Sequence, residues 1–128
     1  KTIAIVESEK TAIVMSIFLP DFIWLATGSK GNFKFELLEP LKKRNVIAYP
    51  DKGEYNNWLN KATELSAYGF KIVVSDLIEN TEFENGFDLA DYYLEIYKFI
   101  ADIEIYDNTI KNSRVFFKII DERKLISL

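Results

Sequence analysis

The sequence has no cysteine and no histidine. Without cysteine there is no disulfide framework and no thiolate metal site. Without histidine the commonest general base and the commonest zinc ligand are both missing. Any resident metal would therefore be a hard cation held by carboxylates: magnesium, manganese or calcium. Proline is scarce, at three residues, and so are glycines, at five, so each marks a specific break in the chain. No apolar run is long enough to cross a membrane, and no signal peptide is recognisable.

What is present fits one globular domain. A hydrophobic fraction of 48% over 128 residues supports a real core. The net charge of −4 gives no overall attraction to nucleic acid, although a local basic patch could still bind it. These absences point to a cytoplasmic protein. Because the chain starts at Lys1 and enters an apolar strand almost at once, it reads as a domain of a longer protein.

Short apolar runs alternate with helical patterns. Ile3–Val6 reads as a buried strand, and Ser8 as the N-cap of a helix from Glu9 to Phe18. Ala12, Ile13, Met15, Ile17 and Phe18 make that helix apolar, so much of its surface is expected to be buried. Phe22–Ala26 reads as a second buried strand, and 33–44 as a helix interrupted at Pro40. The run from Val46 to Tyr49 is a third strand, which Pro50 ends.

Tyr55, Trp58, Leu59, Ala62 and Leu65 recur at helical spacing, giving an amphipathic helix over 54–68 that Gly69 stops. Phe70–Val74 is a fourth strand. A polar, acidic loop follows, and then a helix marked by Ala90, Tyr93, Leu94, Tyr97 and Ala101. Trp58, Tyr93 and Tyr97 fall on apolar faces and read as core. This alternation predicts an α/β, Rossmann-like fold with a parallel sheet of about four strands flanked by helices. Residues 1–101 form the α/β domain, and 102–128 a C-terminal helical extension on it, with helical spacing over 114–125.

The acids carry the functional reading. Glu7 follows strand one, Asp51 follows strand three, and Asp88 and Asp91 follow the loop after strand four. A parallel sheet delivers all of these to one edge, where ligands bind. Carboxylates gathered there repel unless a cation or shared proton intervenes, and Mg2+ (or Mn2+) is the natural partner. The plain alternative is that they cap helices: Asp51 the helix that follows it, Glu7 or Asp88 a helix N-terminus.

The motifs resemble those of the Toprim domain. Val6-Glu7-Ser8 is similar to its first motif, a strand ending in glutamate, and Ala26-Thr27-Gly28 to its small-residue turn. Tyr49-Pro50-Asp51 stands where that family has Asp-x-Asp. Gly86-Phe87-Asp88-Leu89-Ala90-Asp91 is similar to the Lys-Asp-x-x-Asp element of primase-type members. The likeness spans residues 1–100, with the motifs in family order.

It implies a Mg2+-dependent phosphoryl-transfer or metal-binding module in a primase-like replication or mobilisation protein, of the kind carried by mobile elements of Bacteroides-type bacteria. In that reading Glu7 is the general base or acid, and Asp51 and Asp88, with Glu54 and Asp91, serve the metal. Lys10, Lys30 and Lys34 contact phosphates of nucleic acid, DNA being favoured, and other domains of a longer parent chain are partners.

Two departures stand out. Gly53 replaces the second acid of Asp-x-Asp, with Glu54 one position late, either swinging in or facing solvent. Thr11 stands at a position often acidic in primases. A second reading is thus a degenerate Toprim domain, catalytically inactive, acting as a nucleic-acid or protein docking platform. A third, a phosphoacceptor receiver domain, lacks paired acids after strand one and a lysine after a fifth strand.

Overall fold

The computed structural model describes the backbone of residues 1–110 and the side chains of residues 1–103. The chain divides into two compact units, Lys1–Ala90 and Asp91–Leu128. The first carries a four-stranded sheet in the order β2-β1-β3-β4. Its strands are β1 (Ile3–Val6), β2 (Ile23–Ala26), β3 (Asn45–Ala48) and β4 (Lys71–Val74), and every pairing is parallel. The α/β, Rossmann-like arrangement read from the sequence is therefore the observed one.

The register explains the core. Ile3 pairs with Ile23 and Val46, Ile5 with Leu25 and Ala48, and Val46 and Ala48 with Ile72 and Val74. Residues in register share a face, so these side chains make one apolar surface. Helix α3 (Tyr55–Ser66) lays Trp58, Ala62 and Leu65 on it, joined by Phe33, Leu38 and Phe70. Trp58 stacks flat on Phe33, with ring centroids 4.4 Å apart. Gly69, at φ 90°, turns the chain so that the Phe70 N–H reaches back to the Leu65 carbonyl and β4 can begin.

Helix α1 (Glu9–Phe18) packs over β1 and β2. Ser8 caps it as the sequence predicts, its hydroxyl accepting the Thr11 N–H at 3.1 Å. Burial differs from the expectation: Met15 and Thr11 are buried, whereas Ile13 is 65% and Ile17 76% exposed. A helix with apolar residues on nearly every side does not announce which side meets the sheet. Strand β2 also differs, being an edge strand with Ile23 and Leu25 partly exposed.

The 33–44 helix is broken into two short pieces, α2 (Phe35–Leu38) and a 3-10 turn at Glu39–Leu41 around Pro40, and a separate 3-10 turn precedes it at Lys30–Asn32. Helix α4 (Leu89–Ile110) runs unbroken past Ala101. Tyr93 and Ile100 are buried on it, but Tyr97 is 58% exposed and Leu94 is exposed too. Ala90 and Tyr93 of the predicted stripe are buried as expected, with Leu89 and Ile100 beside them. The helix expected over 114–125 lies outside the described residues.

Replacing Met15 with Ala should cost ~2–5 kcal/mol of stability in urea unfolding, whereas Ile13→Lys and Ile17→Lys should each change it by less than about 0.5 kcal/mol. An Ile13→Lys variant as unstable as Met15→Ala would show that α1 is turned the other way.

Candidate functional site at the carboxyl edge of the sheet

Because all four strands are parallel, the segments after β1, β2, β3 and β4 emerge at one edge. Glu7, Asp51 and Glu54 line one open depression of about 570 Å³ there, together with Ser29, Lys30, Lys52, Gly53, Asn85 and Gly86. The structure thus brings three of the predicted acids around a common space. The N-cap position of α3 is Glu54, whose N–H donates to the Asp51 carbonyl at 3.0 Å.

Each remaining acid is engaged by its own neighbours. Glu54 lies 3.3 Å from the Lys30 ammonium and accepts a hydrogen bond from the Asn57 amide at 3.0 Å. The Asn57 bond, then Lys30, hold its carboxyl below the ordinary carboxylate range, against a smaller upward push from partial burial. Asp88 is 7% exposed and sits against the start of α1. Its Oδ2 accepts the Thr11 hydroxyl at 3.0 Å and lies 3.3 Å from Lys10 Nζ. With its own proton committed to Asp88, Thr11 Oγ1 accepts from the Ser8 hydroxyl at 2.8 Å. Asp91 opens the second unit in the first turn of α4.

The fit to a divalent ion follows from these contacts. Among the described residues no three acidic side chains converge closely enough to hold a metal ion. Glu54 and Asp88, two of the expected ligands, face ammonium groups. The residues at positions 11 and 53 fit their surroundings. Thr11 is fully buried beside Asp88, where a second carboxylate would meet like charge. Gly53 has φ 96°, and a Cβ there would stand 3.2 Å from the Asn85 side chain. An aspartate at 53 would be strained in its backbone and crowded at once. As arranged, the described carboxylates form no group of three around one point.

The loops are tied together instead. The Lys52 N–H binds the Phe87 carbonyl at 2.8 Å, and the Gly86 N–H binds the Lys52 carbonyl at 2.9 Å. The Gly53 N–H donates to the Glu79 carboxylate at 2.8 Å. Lys52 Nζ donates to the carbonyls of Glu79 and Thr81. Sequence reasoning missed Lys52, Asn57, Asn85 and Ser29, though Lys52 lies between Asp51 and Gly53 and was open to notice.

Of the predicted phosphate contacts, Lys30 lines the depression, Lys10 pairs with Asp88, and Lys34 lies on a neighbouring surface with Lys61. Lys42, Lys43 and Arg44 precede β3, at the opposite edge, with Lys42 over the Phe35 ring.

A family model described as a domain of unknown function (DUF6371) matches residues 1–52. That stretch contains β1, α1, β2, the broken helical segment and β3, with Glu7, Lys10, Lys30, Lys34 and Asp51. No curated protein and no solved structure matches the chain. No helix among the described residues is long and apolar enough to cross a membrane.

Thr11→Val keeps the shape of residue 11 and removes its hydroxyl, so urea unfolding should show a loss of about 1–3 kcal/mol. Thr11→Ser should recover most of it. A Thr11→Val protein as stable as the parent would mean that the hydroxyl does not hold Asp88.

Proposed function

We propose that this chain is a Toprim-like domain that binds nucleic acid at the carboxyl edge of its sheet and has exchanged metal-dependent catalysis for a platform of ion-paired acids. Its setting is a cytoplasmic replication or mobilisation protein, with DNA as the favoured ligand. The observation that carries this reading is the pairing of Lys10 with Asp88 and Lys30 with Glu54. An ammonium group beside a carboxylate supplies the positive charge that a cation would otherwise provide.

The edge depression offers phosphate oxygens the Lys30 ammonium and the Ser29 and Asn85 side chains. Glu7 and Asp51 keep strands from seating deeply, so binding rests on the flanking cations and weakens steeply with salt.

The metal-dependent phosphoryl-transfer reading retains one favourable observation, the shared depression of Glu7, Asp51 and Glu54. In that reading a bound cation would neutralise phosphate charge, with Asp51 and Glu54 nearest to it and Glu7 handling a proton.

Fluorescence anisotropy with a labelled single-stranded DNA, run in chelator and again in Mn2+, separates the two. The platform predicts salt-sensitive binding in chelator, unchanged by Mn2+, and no saturable Mn2+ heat in calorimetry. Saturable Mn2+ binding that disappears in a Glu7→Gln, Asp51→Asn double variant would overturn the platform in favour of the metal module. Absence of DNA binding under both conditions would overturn the nucleic-acid reading itself.

A further inference from the structure

A second depression, of about 470 Å³, opens between the Lys30–Asn32 turn and α3. Lys30, Lys34, Lys61 and Asn57 line it, together with Glu54 and the stacked pair Phe33 and Trp58. Lys30 is paired with Glu54 and Lys61 with Glu64, so Lys34 is the lysine of this lining with no ion pair among the described residues.

Lys34 has no carboxylate partner among the described residues. Lys61 is held by Glu64 at 3.0 Å, an exposed pair three residues apart on one helix, which restrains it weakly. Both are available to an incoming anion. Trp58 adds an independent observation: its indole Nε1–H is buried and has no acceptor. An indole N–H is a donor only, so one residue of this lining has a buried donor without an oxygen partner.

We propose that this depression is a phosphate site, continuous with the carboxyl-edge depression through Lys30 and Glu54, which line both. Lys34 and Lys61 are its anchoring charges, and a phosphodiester strand or a free nucleotide is the source of the phosphate. The ligand class rests on the nucleic-acid reading above, whereas the site itself rests on its own lining.

Recognition is by charge and not by stacking. Trp58 is 2% exposed and its ring is covered by Phe33, so neither offers a face to a base. Binding should therefore be indifferent to base sequence. A strand lying along this path would leave the edge depression beside Lys30 and follow α3 toward Lys61.

The test compares the full chain with a Lys34→Ala, Lys61→Ala double variant. Both positions are outside the core, so the fold should persist. Affinity for a labelled oligothymidylate is measured by anisotropy across a salt series. Removing two phosphate contacts should flatten the slope of log K against log salt by about 1.4. A Lys42→Ala, Lys43→Ala control at the opposite edge should leave the slope as it is. Oligothymidylate binding with the same slope in Lys34→Ala, Lys61→Ala would overturn this site and leave the nucleic-acid reading standing.

Pyrophosphate is titrated in parallel, following the Trp58 indole N–H resonance, which a Trp24→Phe variant distinguishes from that of Trp24. If oligothymidylate does not bind but pyrophosphate moves that resonance, and the double variant abolishes the shift, the site takes a free phosphate ligand and the nucleic-acid reading falls. Neither probe binding would overturn both.

Discussion

The contact on which the carboxyl edge depends is the buried carboxylate of Asp88, held by the Thr11 hydroxyl and the Lys10 ammonium at the first turn of α1. Burying a carboxylate without partners is costly, whereas one with a hydroxyl donor and a nearby cation is tolerated. The contact joins residues 77 positions apart and pins the end of the long loop after β4 to the β1–α1 corner. Ser8 completes the arrangement by capping α1 and donating to Thr11, so one short segment both starts a helix and fixes the loop.

The loop after β3 is fixed by backbone groups. Lys52 exchanges main-chain hydrogen bonds with Phe87 and Gly86, and Gly53 gives its N–H to Glu79. Gly53 does so from a left-handed backbone, with the Asn85 side chain where a Cβ would stand. The same geometry that ties the loops together denies position 53 an acidic side chain. A glycine at 53 and closure of the loop are then two aspects of one constraint, and the uncharged Thr11 beside Asp88 is a parallel case.

The fold was legible where local chemistry decides it. Ser8 capping α1, Gly69 closing α3, and the apolar runs at Ile3–Val6 and Lys71–Val74 carry their own signals. The sequence was less informative where the choice is between equivalent apolar faces. On α1, Ile13 and Ile17 look as fit for the core as Met15, and only the angle of packing separates them. Strand β2 is as apolar as an inner strand, and its place at the edge follows from the sheet order. On α4, Ala90 and Tyr93 are core as their spacing suggests, whereas Tyr97, one turn on, is at the surface.

The site divides in the same way. That Glu7 and Asp51 reach one edge follows from strand order, and it is visible in the sequence once the sheet is parallel. That Lys10 answers Asp88, and Lys30 answers Glu54, depends on loop paths that no spacing rule gives. Lys61 was missed because it lies two turns into α3, away from any motif.

The central claim is that lysines, and not a metal, balance the acids at this edge. A crystal structure of the chain soaked in Mn2+, with anomalous data, tests it most directly. The account predicts Lys10 within ion-pair distance of Asp88, Lys30 within ion-pair distance of Glu54, and no anomalous peak between Glu7 and Asp51. A manganese peak coordinated by Glu7 and Asp51, with Lys30 swung away from Glu54, would contradict it.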